Sequence, residues 1–167
     1  MKLKAEGLSW EAFSPFGTYL DPADCGPALG GGTGPVRFHP DRLLGLFEHS
    51  QYAALSPLFL EPRPFVVDTT EIHVHTEELF GGFFRDVVFH AGPAGGDEPD
   101  LTRFRAFHLP AGWWVRLKRG VWHHAPFVTG REACVGFVVL PPATYTADCH
   151  VVSLPGGIVL DPGPVAG

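Results

Sequence analysis

The sequence predicts an all-β protein, a sandwich or small barrel with one or two short helices near its N-terminus. Three observations carry this expectation. From residue 64 onward, short runs rich in Val, Phe and Trp recur. Segments built on Gly, Pro and Asp separate them. The composition agrees, with 21 Gly, 17 Pro and 14 Phe in 167 residues. β-Branched and aromatic side chains suit a pleated, half-buried surface, while Gly and Pro supply turn geometry. Helical spacing is almost absent from this part of the chain, so sheet packing is the route to a core.

Taken in order, Ser9 is placed to cap a short helix over "WEAF", which the "SPFG" turn closes. Residues 21–36, "DPADCGPALGGGTGPV", read as a loop. In "HPDRLLGLFEHS", residues 39–50, Leu43, Leu44 and Phe47 stand at helical spacing behind Pro40, which predicts one short amphipathic helix. The runs "PFVVDT", "EIHVH", "GFFRDVVFHA", "RFRAFHL", "WWVRL", "CVGFVVL" and "CHVVSLP" are strand-length. Most are joined by turn segments such as "GPAGGDEPD", "PAG", "KRG", "VTGRE" and "PPATYTAD". The C-terminal "PGGIVLDPGPVAG" reads as a strand fragment and a tail. The organisation expected is one domain over 1–167, with helices and loops in 1–63 and the barrel core in 64–160.

Charge and cysteine usage narrow the function classes. The net charge of −6 argues against nucleic acid and anionic membrane as partners, since both attract basic surfaces. There is no leader-like apolar core near the start and no apolar run of about 18 residues. Cys25, Cys134 and Cys149 form no CxxC pair, which excludes a zinc ribbon, and their odd number and wide spacing argue against a disulfide framework. A cytoplasmic location is the expectation.

The stretch "EIHVHTEELFGG", residues 71–82, carries the chemistry. Successive strand residues point to opposite faces, so His73 and His75 would share one face and could bind one divalent metal. Glu77 or Glu78 could add an oxygen. A third imidazole has to come from elsewhere, and His123 follows the turn glycine Gly120 by three residues. The plain alternative is a metal-free polar pocket, because nine histidines make some proximity ordinary. His39, His49, His90, His108 and His150 read as surface or satisfied core residues. His124 would face away from His123 on a strand, or enter the pocket as a general base if the chain bends. Arg116 and Lys118 alternate onto one face. Either could anchor an anionic small-molecule substrate, and solvated strand charge is the plain reading of both. Glu77 reads as a solvated strand-end charge.

The two histidine segments resemble the cupin signature, in which His-x-His and a Glu precede a second block of Gly, a turn Gly and His. Gly112, Gly120 and His123 fall at the second block's spacing. Lys118 stands where Pro is usual and Phe127 where Asn is usual, and Glu78 comes one position early. The resemblance implies a double-stranded β-helix, or jelly-roll, barrel. It also implies His73, His75, Glu78 and His123 as ligands of a divalent ion (Ni, Mn, Fe, Co or Zn) with open positions.

Beyond that signature, "LSWEAFSPFG", "PDLTRFRAF", "RGVWHHAPF" and "DCHVVSLP" resemble the ureidoglycolate lyase family, in that family's order. This implies a homodimeric, metal-supported lyase that releases urea from ureidoglycolate and leaves glyoxylate. On that resemblance His124, Lys118 and Arg116 are the candidate catalytic residues. A different cupin enzyme, such as a sugar isomerase or an iron dioxygenase, would use the same ligands. A non-enzymatic binding barrel is the third possibility at this point.

Overall fold

Every second residue of the run Cys134–Leu140 is buried, which is the signature of a strand with one face on a core. The same logic produces two sheets. In chain order, the computed structural model, which describes residues 1–163, contains β1 (Lys2–Gly7), α1 (Trp10–Phe13), β2 (Gly17–Leu20) and β3 (Ala54–Leu60). There follow β4 (Val66–Ile72), β5 (Glu78–Gly81), β6 (Val87–Ala91), β7 (Arg105–Leu109) and β8 (Trp114–Leu117). The last elements are β9 (Phe127–Val128), β10 (Cys134–Leu140), α2 (Thr144–Ala147) and β11 (His150–Asp161). One sheet runs β4-β11-β1-β7-β6-β9 and the other β2-β8-β5-β10-β3. Strand β1 pairs in parallel with both β11 and β7, and the other neighbours are antiparallel. The all-β jelly-roll class read from the sequence is the class observed.

Two clusters of buried side chains hold the sheets. The first is aromatic. Phe13 meets Phe107 at 5.1 Å and Phe89 at 5.9 Å between ring centroids, and Phe80 meets Phe89 at 5.1 Å, all near-perpendicular. Edge-to-face contacts of this kind add to the burial of the rings themselves. Phe13 reaches the cluster because α1 forms where expected. The Ser9 hydroxyl accepts from the Ala12 N–H at 3.2 Å, and the Ser9 carbonyl from the Phe13 N–H at 2.9 Å. The second cluster gathers Val67, Ile72, Val88, Trp122, Ile158 and Leu160. Strand β6 serves both clusters, with Phe89 in the first and Val88 in the second, and all five of its residues are buried. That explains why its sequence does not alternate, with His90 buried among apolar neighbours.

Three expectations are corrected. Residues 39–50 form no helix. Asp41 takes a positive φ of 57°, and the Leu46 N–H donates to the Glu77 carboxylate at 2.8 Å instead of to a helix carbonyl. Local apolar spacing was outweighed by this tertiary bond, and Leu44 is left exposed. The region 1–63 holds three strands, β1, β2 and β3, besides its helix and loops. The "EIHVH" run is strand only to Ile72, after which the chain turns. The tail expected at 164–167 lies outside the described residues.

The aromatic cluster should dominate stability. Replacing Phe89 by Ala is expected to cost about 3–5 kcal/mol, read as a lower urea midpoint with a near-normal slope.

Candidate active site

Backbone pairing sets the site. Upstream of β9, His123 forms an isolated antiparallel bridge with Glu71 on β4. The Glu71 N–H donates to the His123 carbonyl at 2.7 Å, and the His123 N–H returns the bond at 2.9 Å. His73 follows two residues after Glu71, and its carbonyl accepts from the Gly120 N–H at 2.7 Å. Gly120 has φ +72°, a conformation an L side chain seldom takes, so glycine is what lets this turn dock there. The Thr70 hydroxyl also donates to the His123 carbonyl, at 3.1 Å. That uses its hydrogen, so the His90 Nε2–H donates to Thr70 Oγ1 at 3.0 Å.

The side chains converge on one carboxylate. Buried Glu78, at the start of β5, places Oε2 3.1 Å from His73 Nε2 and 3.3 Å from His123 Nε2. The other nitrogens face carbonyls: His73 Nδ1 lies 2.6 Å from the Asp148 oxygen and His123 Nδ1 2.8 Å from the Val121 oxygen. A carbonyl only accepts, so both Nδ1 atoms carry hydrogen and both Nε2 atoms are turned toward Glu78. Glu71, His73 and His123 each also bring one ligand atom within 4.8 Å of the others'. A cavity of about 390 Å³ opens beside the cluster, with Glu71, Glu78, Phe80, His124 and Tyr145 among its walls.

The electrostatics follow from burial and pairing. Burial pushes the Glu78 carboxyl up, but the charge and hydrogen bonds of His123 and His73 outweigh it and hold it down at about 2. Burial pulls His123 down, and the Glu78 charge more than reverses that, so His123 sits above the ordinary imidazole value. Glu71 is lowered: burial raises it, but His124 bonded at 3.3 Å, the His123 charge and the Cys149 thiol at 3.2 Å prevail. Burial, then the charges of Glu78 and Glu71, push the Tyr145 hydroxyl above its ordinary value and keep it protonated. Burial and the bond to Glu71 push the Cys149 thiol up to about 12.

Of the residues singled out in the sequence, His73, Glu78 and His123 come together. His124 lines the same cavity, bonded to Glu71. His75 does not join them. Strand β4 has ended, alternation no longer applies, and the exposed His75 ring faces His49 at 6.1 Å between centroids. Arg116 lies on the outer face of β8, because its neighbours Val115 and Leu117 fill the inner one, and it pairs with Glu77 at 3.2 Å. Glu77 is therefore a buried ion-pair partner and not a solvated charge. Lys118 sits in the turn after β8 and donates to the Ser14 carbonyl at 2.6 Å. Neither cation lines the cavity. Sequence reasoning missed Glu71, Tyr145, Asp148 and Cys149. Glu71 was reachable, since it stands two residues before His73, the spacing that drew attention to His75. The other three come from α2 and the residues just after it, far along the chain, and no local spacing announces them.

Acid should weaken the fold through His90 first. Burial, then the charges of His123 and His124, hold this imidazole at about 3 against an ordinary 6.5. Between those values the unfolded chain takes up a proton that the folded chain refuses, so stability falls as pH drops from 6.5 toward 3. Glu78 adds a loss of the same sign between 4.5 and about 2. His123, raised when folded, contributes stability below 6.5 that is lost as pH rises through its folded value. The His90 slope is at most about 1.4 kcal/mol per pH unit. Urea midpoints measured against pH should show His90→Gln flattening the limb between 6.5 and 4.5.

The model of the ureidoglycolate lyase family matches residues 1–161. A ureidoglycolate lyase of Burkholderia cepacia is 31% identical over 160 residues, covering 91% of this chain and 86% of the relative. One of Pseudomonas savastanoi pv. phaseolicola is 28% identical over 170 residues, covering 99% of each. A match across nearly the whole described fold, strands and site segments included, places this chain in the ureidoglycolate lyase family.

Proposed function

We propose that the protein is a metal-supported lyase that releases urea from ureidoglycolate and leaves glyoxylate. The observation that carries this reading is the charge of the cavity. Two carboxylates, Glu71 and Glu78, line it, and among the described residues no Lys or Arg does. An anionic substrate needs positive charge there. Two Nε2 atoms converging on one buried carboxylate oxygen are a donor set that a divalent ion fits, with Nδ1 of each imidazole held by a carbonyl as metal-binding histidines require. His73, His123 and Glu78 would hold the ion, with Glu71 at its edge. Ni, Mn, Fe, Co and Zn all suit such ligands. When bound, the ion would supply Lewis acidity toward the substrate's carboxylate and hydroxyl oxygens.

The chain's own residues divide the remaining work. Ureidoglycolate is a carbinolamide, so its hydroxyl must lose a proton while the carbon–nitrogen bond breaks. Glu71, held ionised and backed by His124, accepts that proton. The electron pair left on oxygen forms the aldehyde of glyoxylate, and the pair of the broken bond stays on the departing nitrogen. Tyr145, held protonated in the same cavity, donates to that nitrogen, and urea leaves. Phe80 and Leu58 supply apolar walls that restrict water. Arg116 and Lys118 have no part in this scheme.

The reading extends to a cytoplasmic homodimer. On the outer face of β3, Leu55 is 62% and Phe59 76% exposed, opposite Val139 and Val135 of β10. A second copy would cover this apolar surface.

Elemental mass spectrometry should find near-stoichiometric transition metal in the purified protein and none in His73→Ala/His123→Ala, which should also stop releasing urea. Ligand-induced stabilisation without metal or turnover would point instead to a binding barrel. Tyr145→Phe should lower kcat by about 10²-fold with KM little changed. Phe59→Asp should convert the dimer to a monomer in light scattering, and a dimer that survives would remove β3 from the interface.

A further inference from the structure

We infer that Asp148 is the positioning residue of the site: it fixes which nitrogen of His73 is presented to Glu78. The inference rests on reading His73, His123 and Glu78 as the ligand set. Asp148 uses every acceptor it has on three consecutive residues. Its carbonyl takes the His73 Nδ1–H at 2.6 Å, Oδ1 takes the Val74 N–H and Oδ2 the His75 N–H, each at 2.9 Å.

These bonds fall where the ordinary support has stopped. Strand β4 ends at Ile72, so the sheet no longer holds Val74 and His75, and both are exposed. The carboxylate replaces the missing ladder for those two amides. It thereby seats its own carbonyl against the imidazole, and that carbonyl can be satisfied only by an Nδ1 that carries hydrogen. Nε2 is then the nitrogen left to face Glu78, 3.1 Å away. Orientation of a ligating imidazole through its other nitrogen is commonly worth 10- to 100-fold in metal affinity.

The same residue also ties in the phenol. Asp148 closes α2, its N–H donating to the Thr144 carbonyl at 2.8 Å. Tyr145 on α2 lies with its ring 6.2 Å from that of His73 and nearly perpendicular to it. Ligand and proton donor are thus referenced to one residue. Asparagine cannot substitute, because its amide NH₂ would confront one of the two backbone N–H donors.

The test is imidazole nitrogen NMR on the ¹⁵N-labelled, metal-free protein at pH 8, with calorimetric titration of Ni²⁺ alone. Wild type should show His73 protonated at Nδ1. Asp148→Asn should show mixed tautomers and bind Ni²⁺ about 10- to 100-fold more weakly. Asp100→Ala, which removes a local cap distant from the cluster, should change neither. A bare His73 Nδ1 in wild type would overturn the inference, and that spectrum decides the matter even if Asp148→Asn does not fold. Wild-type Ni²⁺ affinity in a folded Asp148→Asn would overturn it too, while leaving the ligand reading intact. Nδ1 protonation lost on substitution, with no Ni²⁺ bound by either protein, would support the positioning role and remove the ligand reading.

Discussion

A carboxylate taken out of water has to be neutralised, and at Glu78 that task falls to two imidazoles whose orientation is already set by the backbone. Glu78 is almost wholly buried, with His73 and His123 as its hydrogen-bond partners. Losing either partner would leave a charge in a medium that solvates it poorly, which is among the costlier defects a fold can carry. The rest of the molecule can be read as what holds those three side chains in register. Strand β4 supplies Glu71 and aims His73. The turn at 118–120 is stitched to the His73 carbonyl. The bridge to Glu71 fixes His123, and β5 presents the carboxylate from the opposite sheet. Two sheets that drifted apart would separate the anion from its partners, so sheet packing and site electrostatics reinforce each other.

Chemical division of labour follows from the same arrangement. The two carboxylates of the cavity have different neighbours and so different uses. Glu78 is enclosed by imidazoles, and the proposed scheme gives it the role of permanent ligand. Glu71 keeps a half-exposed histidine and a thiol as partners, and the proposed scheme makes it the group that takes up the proton.

The sequence was informative where residues act locally and silent where they act across the fold. The Ser9 cap is a local feature and formed where the pattern put it, and the strand-length runs each contain a strand except that "EIHVH" contributes only the end of β4. His73 and His123 were legible because a turn glycine and a two-residue spacing are visible in one dimension. His75 was misread because alternation was extended past the end of β4, and strand ends are set by partners the sequence does not display. The 39–50 segment had helical spacing, yet a buried carboxylate from residue 77 captured its backbone. Arg116 and Lys118 were legible as strand cations, but which face of β8 turned inward depended on Val115 and Leu117 packing against the aromatic cluster. Asp148 lies 75 residues from His73, and nothing short of the folded chain brings them together.

Strand β6 has a consequence for how the molecule comes apart. With Phe89 on one side and Val88 on the other, it belongs to both buried clusters at once. Neither cluster can be exposed without stripping a face of this strand, and its neighbours β7 and β9 are hydrogen-bonded to it on both edges. The two cores are therefore welded into one cooperative unit, and β6 is where amide protons should be last to exchange with solvent. Partial melting has to begin elsewhere, in the exposed segment between β2 and β3, which can loosen while the carboxylate and its imidazoles remain enclosed.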